Sequence, residues 1–387
     1  MASNIMERNA AITGIGQSVI GRKVGRTGLS LTVEAAMNAI ADAGLTPADI
    51  DGVSTWPGRR QEALSVSPVG APDIKEALNL KLNWYSGGLE GPGQLIAVIN
   101  AVMAVVTGQA RHVLVYRTLM EATERPARGS DGRAQGAQAW LQPFHAYGAA
   151  TFMACHASRY MKYYGMKREQ LAQIPINSRR NASLNPKAVF REPFTLDDYM
   201  SARMVSTPFC LLDCDVPVDG STAVIVSHVD TAKDRPKPPV FVEAMAGVLY
   251  GRDSWDQGDD MTTMAARDAG QRLWQRTDLK PKDVDVAELY DGFSMLSVFW
   301  LEALGFCKKG EAAAFIEGGK RIALEGELPL NTNGGQLSAG RMHAYGLFHE
   351  ACVQLRGEGG ARQVKDPQVA AVGGGGGMLA GAFLLRR

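Results

Sequence analysis

The residues best suited to chemistry crowd into one stretch, Asn331-Thr-Asn-Gly-Gly-Gln-Leu-Ser-Ala-Gly-Arg-Met-His-Ala-Tyr345-Gly346. It holds a glycine turn, two asparagines, Arg341, His343 and Tyr345 just ahead of a helix-like run. Flexible backbone with dense polar side chains suits a site that handles protons and oxygen atoms, rather than a packed core. A second group, Tyr290-Asp291-Gly292-Phe293, follows a buried strand pattern, and Asp291 could orient its tyrosine. In the run Gly373 to Gly377, the side-chain-free amides of Gly374 to Gly377 suit an oxyanion; with no following Lys-Ser/Thr the run is not a phosphate loop.

Other candidates read more plainly. His112, His145, His156, His228 and His349 are expected to be structural. Asp213, Asp215 and Asp219 lack the glycine and glutamate of a calcium loop and read as turn formers, so no metal is expected. Five cysteines without CxxC spacing give neither a disulfide framework nor a zinc site, and a reducing cytoplasm is the expected location.

The elements that must position these groups follow an α/β order. Ala10 to Ile15 is a first strand. Ser30 or Thr32 caps a helix from Val33 to Ala43, and Gly44 ends it. Leu45-Thr-Pro47-Ala-Asp49-Ile50-Asp51 leads into the next strand and recurs 234 residues later as Leu279-Lys-Pro281-Lys-Asp283-Val284-Asp285, the mark of an internal duplication. A glycine loop at 86–93, a helix at 94–107 and a strand at 112–116 in the first half answer to the 333–340 loop, a helix at 345–355 and a strand at 368–372 in the second. The halves are placed at 1–235 and 236–387, with an insertion at about 119–220 in the first and a proline-rich linker at 229–239. Residues 121–142, poor in periodicity, are expected to cover the surface or the site.

At 387 residues with 41 basic and 40 acidic side chains, the net charge of +1 speaks against a nucleic-acid or membrane-surface protein. No run approaches the ~20 apolar residues needed to span a bilayer. Forty-three glycines and 45% hydrophobic residues fit an α/β enzyme.

The chain resembles the thiolase superfamily along essentially its whole length. The sterol-carrier type is matched at Tyr160-Met-Lys-Tyr-Tyr-Gly165, Arg168-Glu-Gln-Leu-Ala172, Asn185-Pro186, Pro208, Asp213-Cys214 and Asp219-Gly220. The second half is matched at Asp285-Val-Ala-Glu288-Leu, at Tyr290-Asp-Gly-Phe293 in place of Asn-Glu-Ala-Phe, and at Asn331-x-Asn333-Gly-Gly335. The resemblance implies two duplicated α/β halves, each with a five-stranded mixed sheet, in a five-layer αβαβα body. It also implies a homodimer and a companion OB-fold zinc-ribbon subunit of a hydratase.

The departures matter more. Seventeen residues before Gly108, where the family keeps its nucleophilic cysteine, stands Gly91; Arg341 replaces the Gly-His-Pro histidine and Gly373 the second cysteine. Thioester exchange needs that nucleophile. Tyr-Asp-Gly-Phe with Gly-Arg-Met-His-Ala-Tyr-Gly resembles the thiolase-like aldolases of bacterial steroid side-chain degradation, in which a tyrosine pair carries acid-base work. The reaction implied is retro-aldol cleavage of a β-hydroxyacyl-CoA, namely a 17-hydroxy steroid side-chain thioester, to a 17-ketosteroid and propionyl-CoA. Coenzyme A is then part of the substrate and no other cofactor is needed. Tyr290 and Tyr345 share the base and acid roles, unassigned between them, and Arg341 or His343 is expected to depress a phenol. His343 and Asp291 support catalysis; Gly91, Asn333, Arg341, Gly374 and Gly375 bind substrate or oxyanion. Two alternatives stand beside this: a non-catalytic acyl-CoA- or lipid-binding subunit, and a Claisen-type transferase using Cys307 or Cys352.

Overall fold

The computed structural model describes residues 5–56, 65–87, 94–124, 138–144, 146, 148–232, 235–249 and 260–387. Its strands are β1 (Ala10–Gln17), β2 (Gly52–Thr55), β3 (Trp84–Gly87), β4 (His112–Met120), β5 (Met204–Ser206), β6 (Phe209–Cys210), β7 (Asp219–His228), β8 (Val240–Leu249), β9 (Val286–Leu289), β10 (Val369–Gly375) and β11 (Leu379–Arg386). Helices α1 (Gly28–Asp42), α2 (Ala71–Ala77) and α3 (Ile96–Val106) belong to the first half. They are followed by α4 (Gln138–Leu141), α5 (Ala149–Tyr164), α6 (Arg168–Leu171), α7 (Gln173–Ser183) and α8 (Leu196–Ser201), and then by α9 (Ala266–Trp274), α10 (Ser294–Ala303), α11 (Ala312–Ile316) and α12 (Tyr345–Leu355).

The repeat expected from the two Leu-x-Pro-x-Asp turns is visible in hydrogen bonds. Thr46 N–H donates to Asp49 and Lys280 N–H to Asp283 at the head of each turn. Two residues on, Asp51 accepts the N–H groups of Arg111 and His112 at the entry to β4, and Asp285 accepts those of Gln368 and Val369 at the entry to β10. One carboxylate in each half thus fixes where a parallel neighbour begins, β2 beside β4 and β9 beside β10.

The strands run β3-β2-β4-β7-β1-β8-β11-β10-β9 in one mixed sheet, joined between the halves by Ala11 opposite Phe241 and Ile12 opposite Val240. Among the described residues the first half supplies five strands, as expected, and the second four. Its fifth place is held by Leu330 alone, bridging Ala287. Pro329 has no N–H to donate and Asn331 turns left-handed (φ 50°), so extended backbone lasts a single residue there. Helices α3 and α12 each pack on strands of both halves, α1 lies on β1, β7 and β4, and α9 lies on β8 and β11 against α10. This is the layered order that the resemblance implied.

Helix α1 starts earlier than expected. Thr27 is the cap, its hydroxyl accepting Ser30 N–H, while Thr32 is buried and donates back to Gly28. Glycines 14 and 16 reflect packing: a Cβ on either would come within 2.4 Å of an α1 carbonyl oxygen. Residues 125–137 of the segment expected to form a surface loop lie outside the described residues, as does His145.

Candidate active site

The site gathers where β4 and β9 end and the chain approaches β7, the position at which α/β sheets open a crevice. The two asparagines of the 331–335 turn build it. Asn331 Oδ1 accepts Leu289 N–H at 2.7 Å and its Nδ2 donates to Leu289 C=O at 2.9 Å, so a side chain pairs with the last residue of β9 as another strand would. Asn333 Oδ1 accepts Gly335 N–H at 2.8 Å. Asp291 accepts Gln336 N–H at 2.8 Å and Leu337 N–H at 3.5 Å, holding the π-turn Gly335–Ala339. A Cβ on Gly335 would fall 2.0 Å from that carboxylate, and φ there is +59°. Burial pushes Asp291 up to about 6 and those two amides pull back. Asp291 therefore positions the loop; its carboxylate is turned to the backbone rather than orienting the Tyr290 hydroxyl.

Arg341 leaves the same loop for a part-buried charge cluster. Its Nε donates to Glu121 at 2.7 Å and its Nη1 to Asp215 at 2.9 Å. His343 Nε2 lies 3.6 Å from the same Glu121 oxygen, and its Nδ1 lies 3.0 Å from Arg117 Nη2. The Arg117 guanidinium in turn stacks 4.5 Å over the Trp56 ring. Burial pushes Asp215 to about 7; Arg341 pulls it down while Glu121 and Asp291 push it up. Burial works against charge on Arg341, but Asp215 and Glu121 outweigh it and keep the guanidinium firmly protonated.

Tyr290, 3% exposed, follows β9 directly and donates its N–H to Gly373 at 2.9 Å. A Cβ on Gly292 would sit 2.6 Å from the Tyr290 ring, so the ring needs a glycine there. Burial raises this phenol well above the usual range and Asp215 and Glu121 push the same way, against Arg341 and the Gln336 amide. Tyr345 opens α12 and is 1% exposed, its N–H donating to Met342 C=O. His343 (φ 49°) and Ala344 (φ 65°) approach it in left-handed backbone, and Leu95 (φ 60°) enters α3 in the same way.

Two expectations need correction. His343 is held well below its ordinary pKa by burial and by Arg117 and Arg341, so it is neutral and cannot depress a phenol as a cation. Arg341 is a cation paired with two carboxylates and does pull Tyr290 down as expected, but burial outweighs it, with Asp215 and Glu121 pushing the same way as burial. Cys307 and Cys352 are both pushed by burial to about 12, which leaves them thiols and poor nucleophiles near neutrality.

The glycine run divides sharply. Gly376 N–H donates to Leu379 at 2.9 Å and closes a hairpin, and antiparallel pairing alternates from there. Gly374 therefore faces Gly381 on β11, whereas Gly373 and Gly375 face the β9 side, where Gly373 already receives Tyr290 N–H. Of the two expected donors, Gly375 N–H points past the end of β9 beside Tyr290 and Gly374 does not. Gly91 lies outside the described residues. Asn333 instead lines a polar cavity of about 430 Å³ with Gly340, Gly346 and His349.

Glu121 and Arg117 were not singled out from sequence, and Asp215 was read there only as a turn former. Arg117 had a signal, being a charge inside the apolar run of β4; Glu121 and Asp215 resemble any turn carboxylate until Arg341 is seen between them. Asp213 accepts from Tyr199, Ser294 and Cys210, and Asp219 from Ala122 and Thr123, so the three aspartates serve separate partners. His112 meets Ser227, and His156 meets the Met261 carbonyl.

Residues 248–385 match the family of thiolase C-terminal domain-like proteins. The steroid side-chain-cleaving aldolase of Thermomonospora curvata is 36% identical over 92% of both chains. The chain belongs to the thiolase superfamily. The 17-hydroxy-3-oxo-4-pregnene-20-carboxyl-CoA lyase of Mycobacterium tuberculosis is 34% identical over 91% of this chain and 93% of its own. A solved Ltp2-ChsH2(DUF35) aldolase superposes over 99% of both chains with a TM-score of 0.89 at 33% identity. Among thiolase-superfamily proteins, then, this one has Arg341 in its salt-bridge cluster where the resemblance placed a catalytic histidine, and Gly373 in the ladder where it placed a cysteine.

Proposed function

We propose that the protein is a carbon–carbon lyase that splits a β-hydroxyacyl-CoA by a retro-aldol reaction. Its substrate is a 17-hydroxy steroid carrying a side-chain CoA thioester, and its products are a 17-ketosteroid and propionyl-CoA. The observation that carries this reading is the buried, protonated Tyr290 beside the Glu121–Arg341–Asp215 cluster, in a chain related end to end to proteins named for that cleavage.

A base removes the β-hydroxyl proton, the Cα–Cβ bond breaks, the hydroxyl-bearing carbon becomes the ketone and the electron pair passes into the thioester enolate. An acid then protonates Cα, so one proton leaves the substrate and one returns. A phenol held protonated suits the acid, which gives Tyr290 that role and leaves Tyr345 the base. Gly375 N–H suits a donor to the enolate oxygen. Arg341, with Glu121, Asp215 and His343, holds the loop that carries Tyr345. Coenzyme A arrives on the substrate, and these steps use no other cofactor.

The reading extends to organisation. The halves divide at about 235, with 119–220 inserted into the first. The protein works in the cytoplasm as a homodimer with an OB-fold zinc-ribbon companion; the presence of a companion subunit is supported by the pairing of Ltp2 with ChsH2(DUF35) in the solved aldolase. Converting Tyr290 or Tyr345 to Phe should lower turnover by about 100-fold or more with the fold retained. Full activity in both variants would remove the assignment.

A further inference from the structure

The polar cavity of about 430 Å³ takes no part in the cleavage steps above. One wall is the α12 stripe Gly346, His349, Glu350 and Val353, whose spacing of three, one and three residues puts them on a single helix face. The facing wall belongs to the first half: the end of β1, with Asn38 and Asp42 one turn apart on α1. The 331–346 loop borders the cavity through Gly340 and Met342, while Arg341 between them turns away to Glu121 and Asp215. The carboxylates of this lining are all paired. Asp42 meets Lys237 at 2.7 Å and Arg356 at 2.6 Å, Glu358 meets Lys237 at 2.9 Å, and Glu350 meets Arg362 at 2.8 Å. Lys187, exposed in the turn after α7, has no ion-pair partner among the described residues, so one positive charge is left over. His349, expected to be structural, is 9% exposed and makes no hydrogen bond among the described residues. A buried imidazole ordinarily has a partner. Burial, then Lys187, Arg362 and Arg356, hold this one at about 3 against the opposing pull of Asp42, so the ring is neutral and has one N–H to give.

We propose that this cavity is a second binding site, for a small organic anion whose phosphate or carboxylate group is held by Lys187 and the His349 N–H. The unpaired lysine supplies a point charge for such a group, and the surplus of cations around His349 favours negative charge beside it. The space is large enough for an organic body as well as the charged group. The side-chain oxygens of Gln17 and Asn38 accept no hydrogen bond among the described residues and suit hydroxyl groups on that body. An occupant would brace from one side the loop that Arg341 fastens from the other.

The test is isothermal titration calorimetry of the full chain with inorganic phosphate, glycerol 3-phosphate and glycerate, at an ionic strength held constant with chloride. Binding is read directly, so the result stands apart from the retro-aldol reading. Saturable binding of at least one of these to wild type is expected, with a Kd of about 1 mM or tighter. Glycerol 3-phosphate in first place identifies an organic phosphate site, and glycerate in first place a carboxylate site; inorganic phosphate binding tighter than both would overturn the place for an organic body. Lys187→Glu reverses the surplus charge at an exposed position and should weaken binding by about tenfold or more. His349→Phe fills the space and has no N–H, and should abolish binding while circular dichroism shows a folded chain. Should that variant not fold, Asn38→Asp, at an exposed position on α1, brings a negative charge to the facing wall and should also weaken binding. No saturable binding of any of the three below about 10 mM, or equal affinity in wild type and Lys187→Glu, would overturn the site.

Discussion

The clearest single-residue consequence concerns Asp215. Its carboxyl is held at about 7 in the folded protein against an ordinary value of 3.8. Between those values the fold keeps a proton that the unfolded chain has lost, so the contribution is complete below about 4 and is lost as pH rises through 7. Asp215→Asn keeps an oxygen for Arg341 and cannot ionise. The thermal midpoint of wild type relative to this variant should fall between about pH 4 and pH 7, by unfolding followed by circular dichroism; parallel curves would show that Asp215 titrates normally. The same carboxyl explains why Tyr290 was only half legible in the sequence. Its position after Val-Ala-Glu288-Leu marked it for function, but its pKa is raised by burial first and then by Asp215 and Glu121, 75 and 169 residues away in the chain.

Among the elements, the 331–346 loop changes meaning most. The sequence showed a turn rich in hydrogen-bonding side chains, and those side chains proved to build backbone: Asn331 lengthens the β9 edge, Asn333 and Asp291 hold the π-turn, and Arg341 fastens the loop to β4 and the approach to β7. Asn331→Ala should cost about 2–4 kcal/mol, since both buried groups of Leu289 lose their partner, measured by urea unfolding. A loss below 0.5 kcal/mol would mean that water replaces the amide. Gly373→Cys, which restores the type of residue a thiolase carries there, should destabilise by about 1–3 kcal/mol through overpacking against Trp300 and yield no acetyl-CoA exchange. Stability equal to wild type would show that Trp300 yields.

At the level of the whole molecule, the duplicated turn and the order of strands and helices were readable because Asp51 and Asp285 do local work that leaves a local signature. The join of the sheet through β1 and β8, and the reduction of the second half's fifth strand to Leu330, were not readable, since each depends on which edges meet in space. The cysteines offer a global check on the transferase alternative. Cys214, Cys307 and Cys352 are each pushed to about 12 by burial. Iodoacetamide at neutral pH should therefore leave cleavage intact while labelling the exposed Cys155, with labelled sites read by peptide mass spectrometry. Inactivation that tracks labelling of Cys307 or Cys352 would restore a thiol mechanism.

The central claim is that two tyrosines cleave a carbon–carbon bond in a fold related to one that transfers acyl groups through cysteine. The direct measurement is product analysis after incubating the purified protein with a 17-hydroxy steroid side-chain CoA thioester, with and without an OB-fold companion, for wild type, Tyr290→Phe and Tyr345→Phe. Equal amounts of 17-ketosteroid and propionyl-CoA from wild type, and essentially none from either variant, are expected. Undiminished products from both variants, or substrate bound but uncleaved by wild type with its companion present, would contradict the account.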